Sequence, residues 1–197
     1  MHHILFVDDD TNILSGLRRR LGSARPDWNL HFASNGAQAI ELAANQNFDV
    51  IVSDIQMPEM DGIAALREIK RLYPSIVVIM FSIHTEKGAE RTVDALLAGA
   101  TDFITKPSGD GTFSCKIEKV REQLVHKIKC CERSKLLQTC EKFPDIVKTE
   151  SAHVKIERDI VAIGSSTGGP DALTKIIPTI PKDFNACILI AQHMPPI

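Results

Sequence analysis

Phe48-Asp49-Val50-Ile51-Val52-Ser53-Asp54-Ile55-Gln56-Met57-Pro58-Glu59-Met60-Asp61-Gly62 is the stretch that decides the fold. Val50 to Val52 form an apolar, β-branched run flanked by polar residues, the pattern of a strand covered on both faces in a parallel sheet. Asp54 then falls just past a strand's C-terminal end, where open α/β sheets place their chemistry. Met57-Pro58 and Asp61-Gly62 stop the strand and turn the chain before a helix. The product is a pre-aimed carboxylate. An acidic helix cap or a Walker-B-like carboxylate would look the same from these residues alone. The Walker-B reading needs a Gly-x-x-x-x-Gly-Lys-Ser/Thr loop for nucleotide phosphates, and the sequence has none.

Working outward, the same strand-then-helix pattern repeats. Ile4 to Val7 is a short apolar run ending in Asp8-Asp9-Asp10, followed by Ile13, Leu14, Leu17 and Leu21 at helical spacing with Asp10 or Thr11 as N-cap. One aspartate of the three is accounted for as a cap. Adjacent carboxylates repel, so the others call for a cation or a positive side chain nearby. Leu30 to Ala33 reads as a strand and Gly36 to Ala44 as a helix; Ile63, Leu66, Ile69 and Leu72 mark the helix that stops before Pro74. Ile76 to Phe81 is a fourth strand, ending in Ser82. Val93, Leu96, Leu97 and Ala100 trace a helix closed near Gly99, Asp102 to Ile104 a fifth strand delivering Lys106-Pro107, and Ile117, Val120, Leu124, Ile128 and Cys131 a fifth helix. Five strands alternating with five helices predict an α/β fold, a doubly wound five-stranded parallel sheet whose right-handed crossovers gather the strand ends on one edge.

The polar residues at those ends are Asp8, Asp9, Asp54, Ser82 and Lys106. Carboxylates with one lysine and one hydroxyl suit a hard, oxygen-seeking cation, with magnesium the expected ion and room for a phosphoryl group between metal and lysine. Asp54 would attack that group as a carboxylate nucleophile and form an acyl phosphate. A Lys-Pro after a strand is ordinarily a turn, and only its coincidence with the aspartates gives it chemistry.

Bulk properties set the frame. The 197 residues are 44% hydrophobic and 24% charged with a net charge of −2, which gives no global attraction to nucleic acid. The longest apolar runs fall far short of the roughly 18 residues of a membrane span, and Met1-His2-His3 leads straight into a strand rather than a signal peptide. A cytoplasmic protein without membrane insertion is expected. Five irregularly spaced cysteines, Cys115, Cys130, Cys131, Cys140 and Cys187, fit reduced thiols better than a disulfide framework or a metal site.

With those residues in place, positions 1 to 128 resemble a bacterial response-regulator receiver domain, whose fold is flavodoxin-like. Val7-Asp8-Asp9-Asp10, the Asp54 stretch through Gly62, Ser82 and Phe103-Ile104-Thr105-Lys106-Pro107 carry the resemblance in order and spacing. It implies that Asp54 is the phosphoacceptor and that Asp8, Asp9, Asp54 and the Gln56 backbone carbonyl hold Mg2+. It also implies that Ser82 and Lys106 contact the phosphoryl group and that Phe103 is the aromatic switch. Ile83 departs from the small alanine of many receivers and is expected to reshape access to the phosphoryl group.

The fifth-helix stripe runs on through a basic stretch, Lys127 to Lys135, and residues up to 158 then form a polar run, so 129 to 158 read as a helical extension followed by an exposed linker. A solvated helix face explains the basic residues better than nucleic-acid contact. Residues 159 to 197 begin a second unit. Asp159 to Ile163 is a strand, Gly164-Ser165-Ser166-Thr167-Gly168 fits the Gly-x-Ser-x-Gly elbow that lifts a central hydroxyl off a strand end, and Leu173, Ile176 and Ile177 mark a helix. Ala186 to Ala191 ends in Gln192-His193, placing His193 on a neighbouring strand as a possible general base for Ser166. The competing reading is a Gly-rich anion turn with Ser166 as a cap.

Ile163 to Pro170 and Ala191 to Pro196 resemble the opening of the catalytic domain of the chemotaxis protein-glutamate methylesterase/glutamine deamidase family, in which a receiver is joined by a linker to an α/β methylesterase domain. The resemblance implies Ser166 as nucleophile, His193 as base and the amides of Thr167 and Gly168 as oxyanion candidates. It further implies a chemotaxis histidine kinase as phosphodonor and the methylated cytoplasmic domains of chemoreceptors as substrates. The family's triad aspartate lies further downstream, and Asp171 and Asp183 are poorly placed to replace it. With 39 residues, close to the roughly 40 below which a core rarely stands alone, this segment is expected to be a truncated, incomplete and inactive methylesterase domain. The alternative is a stand-alone phosphoacceptor switch that acts only by protein binding.

Overall fold

A computed structural model of the protein describes residues 2–82, 86–106, 113–139 and 160–193, with the side chains at 82, 86–87, 113–116 and 132–139 outside that description. Ile83, Pro107, residues 140–158 of the linker, Asp159 and Met194 to Pro196 lie outside the described residues, as do the side chains of Ser82 and Cys115. In chain order the elements are β1 (His2–Val7), α1 (Thr11–Ala24), β2 (Trp28–Ala33), α2 (Gly36–Asn45), β3 (Val50–Asp54), α3 (Gly62–Leu72), β4 (Val77–Ser82), α4 (Glu86–Leu97), β5 (Asp102–Thr105) and α5 (Phe113–Thr139). After the linker come β6 (Ile160–Ser165), α6 (Gly169–Ile176), a 3-10 turn (Ile177–Thr179) and β7 (Cys187–Gln192).

The first five strands form one parallel sheet in the order β2-β1-β3-β4-β5. Strand alternation sorts its side chains into two cores. Leu5, Val7, Ile51, Val78, Met80 and Phe103 face one way, against Ala39, Ile63, Leu66, Ile69 and Leu96 of α2, α3 and α4. Ile4, Phe6, Val52, Ile79, Phe81 and Ile104 face the other, against Leu17 and Leu21 of α1 and Ile117, Leu124 and Ile128 of α5. Both faces are therefore covered, as the uninterrupted apolar strands require. The α5 stripe is buried from Ile117 through Cys131.

One helix departs from its expected face. Leu97 is 74% exposed, and α4 instead buries Ala89, Thr92, Ala95 and Leu96. The helix ends there: Gly99 takes φ +102°, its N–H donates to the Leu96 carbonyl at 3.1 Å, and Leu97 points outward at the closing turn.

β6 and β7 pair in parallel as a separate two-stranded sheet. It carries apolar side chains on open surfaces: Ile160 is 58% exposed, Leu189 54% and Ile190 45%. The stripe read as Leu173, Ile176 and Ile177 is split, because α6 stops at Ile176 and Pro178 belongs to the following 3-10 turn.

Candidate functional site

Parallel register brings the ends of β1, β3, β4 and β5 to one edge: Val7 lies beside Ser53, Asp54 beside Phe81, and Ser82 beside Thr105. Asp8 follows β1, Asp54 closes β3 and Lys106 follows β5. Oxygens of Asp8, Asp9 and Asp54 all lie within 4.8 Å of one another. Asp10 is excluded from that group. Its Oδ1 accepts the Asn12 N–H at 2.8 Å and caps α1, while its own N–H donates to Asp8 Oδ1 at 2.9 Å.

Lys106 Nζ donates to Asp54 Oδ2 at 2.7 Å and stands 2.7 Å from Asp8 Oδ2. The ammonium therefore bridges two buried carboxylates, pairing with Asp8 as closely as with Asp54. Burial pushes both carboxyls above their usual range, opposed by the Lys106 ammonium and by backbone N–H groups. Burial also works against the Lys106 charge, but the two carboxylates outweigh it and hold the ammonium above its ordinary value. The lysine already occupies the place of a cation. A hard divalent ion fits this donor set: three carboxylates with oxygens within 4.8 Å of one another, two of them buried and one exposed at the rim.

The turn after Asp54 is fixed from several sides. Ile55 N–H donates to Asp54 Oδ1 at 2.7 Å, and Gly62 N–H donates to the Ile55 carbonyl at 3.0 Å. Gly62 packs so closely on the strand end that a Cβ there would collide with the Asp54 carbonyl oxygen. Glu59 takes the left-handed conformation, φ +65°, and its carboxylate accepts from Asn35 Nδ2 at 3.3 Å. Gln56 lines the groove beside Asp9.

Phe103 is buried in β5 with Lys127 Nζ 5.4 Å from its ring centre, and Lys127 also pairs with buried Asp102 at 2.7 Å. The His193 ring is 5.9 Å from that of Phe103.

At the second site, Gly168 takes φ +75° and is itself the N-cap of α6, so Ser166 does not serve as that cap. Gly169 N–H donates to the Ser166 carbonyl at 2.7 Å, closing the elbow. Ser166 is exposed, and no hydrogen bond joins it to His193 among the described residues. The Gly168 N–H, an oxyanion candidate, donates to the Thr101 carbonyl of the receiver segment at 3.2 Å. A cavity of about 520 Å³ lies beside that contact, lined by Lys70, Ile76, Ser166, Thr167 and Lys175 among others.

Several supporting residues carry no signature in the sequence. Gln192 accepts from Ser165 Oγ and donates through Nε2 to the His193 carbonyl at 2.9 Å and the Ser166 carbonyl at 3.3 Å, bracing the elbow. Asp61, read only as a turn residue, caps α3 through Ala64 N–H at 2.8 Å and pairs with Arg91 of α4 at 2.6 Å.

A family model described as the response regulator receiver domain matches residues 4–118. The chain belongs to the response regulator receiver domain family. The receiver domain of Thermotoga maritima CheB has the same fold, with a TM-score of 0.58 and 37% identity over 66% of this chain and 96% of that one. Residues 161–197 match a second model, CheB methylesterase. Two curated relatives described as protein-glutamate methylesterase/protein-glutamine glutaminase match across both regions of this chain. The one from Trichodesmium erythraeum is 38% identical over 98% of this chain and 56% of its own length, and the one from Archaeoglobus fulgidus 42% identical over 98% and 55%. The chain thus spans about half the length of these relatives. Among the described residues no helix is long and apolar enough to cross a membrane.

Proposed function

We propose that the chain is a phosphorylation-controlled chemotaxis regulator, with a receiver at residues 1–128, a helical linker at 129–158 and the start of a methylesterase domain at 159–197. The observation that carries this reading is the convergence of Asp8, Asp9, Asp54 and Lys106 at one sheet edge. Asp54 Oδ attacks the phosphorus of a phosphohistidine on the kinase or of a small donor. The new O–P bond forms as the bond to the leaving group breaks with its electron pair. Lys106 balances charge on the phosphoryl oxygens, with Ser82 as a further contact. Asp8, Asp9, Asp54 and the Gln56 carbonyl would hold Mg2+, which supplies further neutralisation of those oxygens when bound.

In the methylesterase part, Ser166 is the proposed nucleophile for glutamate methyl esters on chemoreceptor cytoplasmic domains, with His193 as its base and the Thr167 and Gly168 amides as oxyanion donors. The Thr101–Gly168 hydrogen bond and the Phe103–His193 contact support a resting state in which the receiver engages the elbow. In that arrangement the Gly168 amide is occupied and Ser166 is not bonded to its base, which favours the switch reading over hydrolysis in the unphosphorylated chain. The setting is the cytoplasm. Incubation with acetyl phosphate and magnesium, followed by intact mass, tests the core of this reading. One added phosphoryl group on wild type and none on Asp54→Asn supports it; equal labelling of both overturns it.

A further inference from the structure

One groove opens from the carboxylate cluster to the surface with, among the described residues, Arg91 as its cationic side chain. Its volume is about 430 Å³ and it is lined by Asp9, Gln56, Met57, Pro58, Asp61 and Arg91. Asp9 belongs to both groove and cluster, so the groove begins where a transferred phosphoryl group would sit. In an in-line displacement the leaving group departs on the side away from the attacking oxygen. Whatever leaves Asp54's donor needs an exit of this kind.

Arg91 is held in place before any ligand arrives. Asp61 Oδ2 accepts from Arg91 Nη2 at 2.6 Å, and Asp61 is itself anchored because its Oδ1 caps α3. Arg91 Nε is buried without a hydrogen-bond partner, while the side chain as a whole is 38% exposed and lines the groove. A guanidinium offers five N–H donors in a rigid plane, and the carboxylate of Asp61 does not exhaust them. Met57 and Pro58 line the same groove and give it an apolar portion.

We propose that Arg91 recognises the acyl half of an acyl phosphate donor, so that the receiver discriminates among small phosphodonors by their leaving group. This rests on the reading of Asp54 as phosphoacceptor. In the step, the Asp54 Oδ–P bond forms and the P–O bond to the acyl group breaks. The electron pair stays on the departing carboxylate, which needs no proton and gains a full negative charge. Arg91 hydrogen-bonds that carboxylate as its charge develops. A donor that releases neutral ammonia from a P–N bond gives Arg91 nothing to stabilise.

The test compares acetyl phosphate, carbamoyl phosphate and phosphoramidate on wild type, Arg91→Gln and Arg91→Lys, following phosphoryl incorporation with magnesium by intact mass over time. Arg91→Gln is expected to lower the rate with both acyl phosphates by about tenfold, the loss of one charge-assisted hydrogen bond, and to leave the phosphoramidate rate unchanged. Arg91→Lys keeps the charge but not the fork and recovers part of the acyl phosphate rate. Phosphoramidate also reports folding, since a disordered site would lose that rate too. Equal slowing with all three donors, or no slowing with any, overturns the inference while leaving Asp54 as phosphoacceptor. Failure of every donor to label wild type overturns both.

Discussion

Lys106 Nζ and Asp54 Oδ2 are 2.7 Å apart across 52 positions of sequence, and the same ammonium stands 2.7 Å from Asp8 Oδ2. The lysine therefore does two things at once: it stabilises two buried carboxylates and it covers oxygens that a divalent cation would use. Replacing it by an uncharged side chain of similar length separates these roles. Lys106→Met is expected to bind magnesium severalfold more tightly, because no ammonium competes, yet to take up phosphoryl groups at least about tenfold more slowly, having lost a charge on the transferring oxygens. Titration calorimetry and phosphoryl uptake from phosphoramidate give the two numbers. Weaker magnesium binding in the variant would show that Lys106 supports the ion rather than standing in for it.

Asp9 and Asp10, adjacent in sequence, do different jobs, and substitution sorts them. Asp10 caps α1, so Asp10→Ala is expected to lower stability by about 1 kcal/mol with magnesium affinity retained. Asp9 is exposed and belongs to the carboxylate cluster, so Asp9→Ala is expected to weaken magnesium binding while leaving stability unchanged or higher, since a like charge is removed. Urea denaturation beside calorimetric titration distinguishes the two patterns. A stability loss in Asp9→Ala equal to that in Asp10→Ala would contradict the division.

Gly62 is required by contact rather than by backbone angle. A Cβ there would meet the Asp54 carbonyl oxygen, so the β3–α3 turn must shift to accommodate it. Gly62→Ala is expected to cost about 1–3 kcal/mol and to slow phosphoryl uptake, because the displaced backbone carries Asp54. Wild-type stability in the variant by urea denaturation would show that the turn yields without strain.

How much of this was legible beforehand depends on whether a residue's role is written in local pattern. Apolar strands with carboxylates at their ends announce the sheet and the Asp8, Asp9, Asp54 and Lys106 cluster, since strand ends in a parallel sheet must meet. The five-helix periodicity is equally local, and α5 keeps its stripe from Ile117 to Cys131. Leu97 was misread because hydrophobic spacing does not say where the closing turn exposes a side chain. Asp61–Arg91 and Ser165–Gln192 were invisible because each joins residues 30 and 27 positions apart whose types are ordinary in their elements. Only packing brings such pairs together.

The opposite end of the sheet gives an independent pH prediction. His31 stacks on His3 with ring centres 5.6 Å apart, meets Phe48 edge-on at 5.2 Å, and has its Nδ1 3.0 Å from Gln46 Nε2 and its Nε2 buried without a partner. Burial, with a smaller contribution from His3, holds the His31 imidazole below its ordinary value of 6.5. A proton therefore binds the unfolded chain more readily than the folded one. The folded state has its full stability above about pH 6.5, loses it as pH falls below that value, and levels off once pH passes under the lowered folded value. His31→Gln cannot titrate and keeps an amide within reach of Gln46, so it should remove this part of the acid destabilisation. Denaturation midpoints of the two proteins at pH 8 and pH 5.5 make the comparison. The wild type is expected to lose more stability between them than His31→Gln, and identical losses would mean that His31 takes up its proton as easily in the fold as outside it.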